Sequence, residues 1–267
     1  MRAEFAAALE RAAGLPSGHP VTIVFASASY RRVLANWLFR ARAAGATNIL
    51  VLALDDEISN FAAGMGLASA RVPSITSRKE LWLLRVEMFA ALAGAGVSFI
   101  HSDADAVWIT SPYESLFQPG IDATFSQGTR LPHDIADRWG FVLCCGLFAV
   151  RGSDATGRFF EQVHTRMAAD GDDQAAVNRV LGALGINWRL PVAGEKRHWK
   201  DQPFTIYPHR VVGSAGPLTI SMLPHWQVPR LPERAAEAMI VHPVGRDPAE
   251  VKLRRLDAWN EAEAANA

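Results

Sequence analysis

Two short aliphatic runs constrain the fold of this chain most. VTIVFA (Val21–Ala26) and NILVLAL (Asn48–Leu54) are rich in β-branched and aliphatic residues and too short for buried helices. Between them Val33, Leu34, Trp37, Leu38 and Ala41 recur at helical spacing, and Gly45 can end that helix. A strand, a helix and a strand in this order form a βαβ unit with parallel strands. The pattern recurs. Ser77 and Glu80 are spaced as a capping box, and Leu81, Leu84, Met88, Phe89 and Leu92 share one helical face. Gly94 and Gly96 close that helix, and the strand VSFIH (Val97–His101) follows. FVLCCGLFAV (Phe141–Val150) predicts another strand, bent at Gly146, with helices over 154–169 and 173–184. The expected fold class is α/β: a three-layer domain with a mostly parallel central sheet, with ligands at the carboxyl ends of its strands.

The rest of the chain reads as additions to that sheet. Residues 1–20 form a short amphipathic helix, and 21–184 form the α/β core. From Gly185 to about Arg234 proline, tryptophan and histidine are frequent and no period persists. This stretch predicts short strands and ordered loops on the same sheet, followed by a helix from Pro248, so that 1–267 is one domain. The 27 basic and 27 acidic residues balance, which argues against a nucleic-acid footprint. The two cysteines, Cys144 and Cys145, are neighbours, so no disulfide framework and a reducing, cytoplasmic setting are expected. Glu4 and Glu10 interrupt the N-terminal helix, which therefore lacks the apolar core of a signal peptide. No apolar run approaches the ~18 residues of a membrane span.

The run SFIHSDADAVWITSP (Ser98–Pro112) carries Asp103 and Asp105 out of the core one residue apart. Like charges this close resist desolvation together. Three readings answer that conflict. The pair can cap a turn after the strand. It can be the nucleophile and acid/base pair of a haloacid-dehalogenase-type phosphohydrolase, which also needs a later acidic pair after a strand. GDDQ (Gly171–Gln174) offers the acids, but it follows a helical pattern. Or the pair can hold a divalent cation, Mn2+ or Mg2+, that leaves coordination positions for substrate phosphates.

FIHSDADAVWITSPYESLF resembles the Asp-x-Asp-x-x-Trp…Pro segment of the nucleotide-diphospho-sugar transferase family, and the resemblance spans roughly Val21 to Lys252. It implies a GT-A-like (Rossmann-like) fold and a metal-dependent, retaining transfer from a nucleotide-sugar donor, most simply a UDP-sugar, with residues 185–267 on the acceptor side. It implies a metal site of Asp103, Asp105 and His242, the last from VHPVG (Val241–Gly245). It places Asp103 and Arg85 against the donor, and Gly245 where backbone approaches the diphosphate. Similar enzymes carry a lysine three residues after that glycine. Pro248 stands there, leaving Arg246 and Lys252 as the cations for the diphosphate. Asp173 would orient donor hydroxyls and Gln174 would lie on the β-face of the anomeric carbon. Asp172 or Asp173 can equally cap the helix that follows. Cys144 stands where the family has asparagine and cannot make the same hydrogen bonds. Tyr30 is placed to stack on the base, with Ser27 and Ser29 nearby. Relatives often have an acidic residue near Ser27, which is absent here. Trp188, Trp199, Trp226, His198 and His225 read as core packing or an acceptor cleft, and His209 and Arg210 receive no role. A nucleotide-sugar binder without catalysis is the further alternative.

Overall fold

The computed structural model describes residues 3–16, 19–73, 75–199, 202–230, 238–243 and 249–254. Helix α1 (Ala3–Ala13) precedes β1 (Val21–Ala26), which runs through a 3-10 turn at Ala28–Tyr30 into α2 (Arg31–Ala43). The elements β2 (Ile49–Ala53), α3 (Asp56–Gly64) and β3 (Ala68–Arg71) follow, and β1, β2 and β3 pair in parallel. Helix α4 (Arg78–Gly94) leads back to β4 (Phe99–Ser102), which pairs in parallel with β1 on its other side. Next come β5 (Val107–Trp108), α5 (Tyr113–Leu116), β6 (Ala123–Gln127), α6 (His133–Trp139) and β7 (Leu143–Val150). Helices α7 (Asp154–Asp170) and α8 (Asp173–Ala183) lie where the periodicity places them. The strands β8 (Asn187–Arg189), β9 (Glu195–Trp199), β10 (Gln202–Ile206), β11 (Val211–Ala215), β12 (Leu218–Met222) and β13 (Ile240–Val241) complete the described elements, and residues 249–254 are helical.

Nine strands form one sheet in the order β3-β2-β1-β4-β7-β6-β12-β11-β8. All of them except β7 and β11 run in one direction. The sheet is mixed and mostly parallel, and it is covered on both faces. Ile23, Leu50 and Leu52 face a cluster with α1, α4, α7 and α8. Val24, Val51 and Ala53 face the opposite cluster with α2 and α3. Burial on both faces explains why β1 and β2 read as unbroken apolar runs rather than alternating ones. Helix α4, which carries Arg85, is clamped against α7. A Cβ on Gly157 would come within 2.8 Å of Gly94 Cα, so the two helices approach at backbone distance.

Several elements lie outside the sequence expectation. Helix α3 is nine residues long and β3 is only ASAR, so neither holds a period long enough to register. Strand β6 is ATFSQ, and its polar residues Thr124, Ser126 and Gln127 are buried. Ser126 Oγ donates to the Leu147 carbonyl, and Gln127 Nε2 donates to the Thr205 carbonyl while its Oε1 accepts from Tyr207 N. Those partners come from distant chain segments, so no local pattern marks this strand. The capping box at α4 is half formed. Ser77 accepts from Glu80 N, but the Glu80 carboxylate reaches one residue further back, to Thr76 N.

Candidate active site

The centre forms where β4 ends. The Asp103 amide donates to the Gly146 carbonyl at 2.7 Å. Gly146 reaches that position through a bulge in β7. Phe125 pairs with Phe148, but the next residue, Ser126, pairs with Cys144, so residues 145–147 leave the β6 ladder. Only glycine fits at the crest. A Cβ on Gly146 would lie 2.6 Å from Asp103 Oδ2 and overlap the His242 ring.

His242 arrives from the far end of the chain on a two-stranded ribbon. Strand β13 pairs antiparallel with β5, Val241 opposite Val107, which sets His242 beside the Asp103–Asp105 turn. Its Nε2 lies 3.8 Å from Asp103 Oδ2 and 3.8 Å from Asp105 Oδ1. The three residues each offer one ligand atom within 4.8 Å of the others. Two carboxylates and one imidazole, gathered this closely, fit Mn2+ or Mg2+ with room for further oxygen ligands.

Cations surround these carboxylates. Arg85 is 6 % exposed. It donates from Nη1 to Asp103 Oδ1 at 3.1 Å and from Nη2 to the Cys145 carbonyl at 2.8 Å. Its Nη2 also lies 2.8 Å from His101 Nε2 and 3.2 Å from Asp173 Oδ2. Burial opposes the guanidinium charge, but Asp173 and Asp103 outweigh it and hold Arg85 above the ordinary arginine value. Burial and then Arg85 push His101 down to about 4, so it is neutral and accepts from Arg85 through Nε2. Desolvation opposes the charge of Asp103, yet Arg85 holds it ionised well below the carboxylate range. Asp105 is raised by burial, which Lys252 opposes and Asp103 reinforces. Lys252, on the helical residues 249–254, places Nζ 2.5 Å from Asp105 Oδ2 and 5.5 Å from the centre of the Tyr30 ring. Burial pushes Asp173 up to about 6 despite Arg85.

The structure brings together Arg85, Asp103, Asp105, Asp173, His242, Lys252 and Tyr30 from the sequence expectation. Asp172 caps α8 by accepting from Ala175 N, and Asp173 is the first residue of that helix. The acids of GDDQ thus begin a helix and follow no strand, unlike the second pair that a phosphohydrolase of the dehalogenase type requires. Gln174 Nε2 donates to the Leu131 carbonyl. Ser27 and Ser29 hydrogen-bond to each other at 3.0 Å. Gly245 and Arg246 lie outside the described residues, as does the side chain of Trp199. Trp188 packs on Trp139 and Phe141, and Trp226 donates to the Pro208 carbonyl. His225 is buried, while His198 and His209 are exposed. Arg210 bonds Ser221 and the Ser115 carbonyl.

Sequence reasoning missed three contributors. Arg230 Nη1 contacts His242 Nδ1 and donates to Cys144 Sγ at 3.2 Å. No motif surrounds it. His101 is the one imidazole in the apolar strand β4, and its place against Arg85 is set by the fold. Asp55, at the end of β2, accepts from Ala28 N at 2.6 Å and caps α3 through Ile58 N. It supplies a carboxylate beside the Ser27–Tyr30 turn from another strand, a position invisible to local spacing.

Comparison with known proteins gives a family and a fold. Residues 44–256 match the family model of the nucleotide-diphospho-sugar transferases. Among solved structures, the bifunctional glycosyltransferase WbbM superposes at a TM-score of 0.52 and 9 % identity, over 88 % of this chain and 47 % of that one. The chain therefore spans about half the length of WbbM. An active-site mutant of LgtC superposes at 0.52 and 13 % identity, over 89 % of this chain and 96 % of that one. At these identities the likeness concerns the fold. No curated protein sequence matches the chain. No described helix is long and apolar enough to cross a membrane.

Proposed function

The chain belongs to the nucleotide-diphospho-sugar transferase family of glycosyltransferases, and from that premise we propose that it transfers a sugar from a UDP-sugar to an acceptor hydroxyl, with a divalent cation and with retention. The observation that carries this reading is the meeting of Asp103, Asp105 and His242 at the carboxyl end of β4. A divalent ion held there would supply positive charge against the departing diphosphate. The chain's own residues bind and orient. Tyr30 offers a ring face for the base, with Ser27 and Ser29 beside it. Lys252, on Asp105, and Arg230, on His242, serve the diphosphate, together with Arg246 and the backbone at Gly245. Arg85 keeps both Asp103 and Asp173 ionised in a buried place, and Asp173 then orients donor hydroxyls from the start of α8.

Among the described residues, Asp103, Asp105 and Asp173 each already face a cation of the chain, so none of the three is a ready nucleophile for the anomeric carbon. Asp173 is held by Arg85, and Gln174, on the sugar side, is an amide tied to Leu131. This favours front-face transfer. The acceptor oxygen bonds to the anomeric carbon as the bond from that carbon to the phosphate oxygen breaks, and the acceptor proton passes to the departing diphosphate. Rate comes from stabilising that leaving group and from positioning the acceptor.

A screen of nucleotide sugars, read as released nucleoside diphosphate with Mn2+ or Mg2+, tests the reading. Turnover is expected with a UDP-sugar. Asp105→Asn is expected to lower it by more than the ~10–100-fold typical of losing a ligand's outer hydrogen-bond partner. Tight binding of every donor tried with no turnover of any would contradict a transferase.

A further inference from the structure

All three proposed metal ligands are already held by cations of the chain itself, Asp103 by Arg85 through Oδ1, which leaves its Oδ2 facing His242. Lys252 Nζ sits on Asp105 Oδ2, and Arg230 Nη1 sits on His242 Nδ1. A guanidinium only donates, so Nδ1 accepts, and the neutral ring carries its proton on Nε2. That is the nitrogen facing Asp103 and Asp105. A histidine that ligates through Nε2 needs the lone pair there and the proton on Nδ1. An Nδ1 proton would point at the N–H of Arg230, donor against donor. Ligation by His242 and the Arg230 contact are therefore mutually exclusive. Lys252 holds Asp105 through Oδ2 and leaves Oδ1 facing His242, so there the competition is repulsion between two cations on one carboxylate.

Charge leads to the same conclusion. Among the described residues, Arg85, Arg230 and Lys252 face Asp103, Asp105 and Asp173, so the site is balanced without a metal ion. Asp105 and His242 are only 5 % and 4 % exposed. A divalent ion arriving alone brings two uncompensated charges into a place that water screens poorly. The same ion arriving with a nucleoside diphosphate brings its compensation with it, and the diphosphate offers new partners to any cation that is displaced.

We propose that Arg230 and Lys252 are exchangeable cations that make metal binding depend on the nucleotide. Arg230 leaves His242 and Lys252 leaves Asp105 as a metal ion takes those ligands, and the diphosphate receives both displaced side chains. The flexible four-carbon stem of Lys252 permits such a move without displacing its helix. Ala249 and Leu253, on either side of it in that helix, pack on the core beside α2 and β5. Leaving Asp105 also withdraws Lys252 from the Tyr30 ring, so the base-side turn senses the exchange. This inference rests on the nucleotide-sugar reading above, and its test separates the two.

The test titrates Mn2+ onto the full chain by electron paramagnetic resonance of the free ion, with and without UDP. The parent is expected to bind Mn2+ alone weakly and to bind it more tightly with UDP. Lys252→Met and Arg230→Met should each bind Mn2+ alone about 5-fold more tightly or better, a typical size for linked sites. UDP should then add less in both variants than in the parent. Lys252→Arg retains a cation at Asp105 and should behave as the parent does. Unchanged or weaker binding of Mn2+ alone in both methionine variants, including no binding by any of the proteins, overturns the exchange. Tighter Mn2+ in the variants with no effect of UDP on the parent supports the two displacements but overturns their link to a nucleotide, and with it the functional reading.

Discussion

Arg85→Met is expected to destabilise the protein by about 3–5 kcal/mol, the usual cost of removing one partner from a buried ion pair. For a chain of this size that corresponds to a fall in Tm of roughly 10 °C. The reason is what stays behind. Asp103 and Asp173 lose the guanidinium that keeps them ionised, and the Cys145 carbonyl and His101 Nε2 lose their donor. Methionine fills the volume, so packing alone should contribute little. The double variant Arg85→Met/Asp173→Asn should recover part of the loss, because it removes one of the two stranded charges. Thermal denaturation of the four proteins of this cycle measures the coupling. Strictly additive losses would mean that Arg85 stabilises by packing and not by holding the two carboxylates.

The second large effect concerns Gly146. Gly146→Ala adds one methyl group at the crest of the β7 bulge, where it meets Asp103 Oδ2 and the His242 ring. Neither neighbour can give way cheaply. Asp103 is held by Arg85 and by its own amide bond to the Gly146 carbonyl, and His242 is held by the β5–β13 ribbon. The alanine variant is expected to lose about 1–3 kcal/mol by overpacking, and its Mn2+ affinity should fall by at least ~10-fold as the ligands are pushed apart. Circular dichroism should still show the parent fold. An alanine variant with parent Mn2+ affinity would mean that the metal lies away from this pair.

These two residues illustrate what was legible in the chain. The strands β1, β2, β4 and β7 announce themselves because a sheet covered on both faces demands unbroken apolar runs, and α2 and α4 because each buries one face over three or more turns. β3 and β6 do not, since ASAR is too short to hold a period and ATFSQ depends on partners far along the chain. Asp103, Asp105 and His242 were readable because their motifs combine rare residue types at the ends of apolar runs. For Arg85 the sequence offers only the expectation of a donor contact, whereas its four-way grip on Asp103, His101, Asp173 and the Cys145 carbonyl is visible in the fold alone. Lys252 stood out only as a candidate partner for the diphosphate, although it rests on Asp105. Arg230 carried no signal, because its place is set by the approach of the segment before β13 and not by neighbours in sequence.

The central claim is that Asp103, Asp105 and His242 hold a divalent ion that helps bind a nucleoside diphosphate. Calorimetric titration of UDP onto the protein, in Mn2+ and again in a chelator, tests it most directly. UDP is expected to bind the parent in Mn2+ and to weaken by at least ~10-fold in the chelator, a difference of about 1.4 kcal/mol. Asp105→Ala should show the weak value under both conditions. Equal affinity in Mn2+ and chelator, or equal affinity of parent and Asp105→Ala in Mn2+, would contradict it.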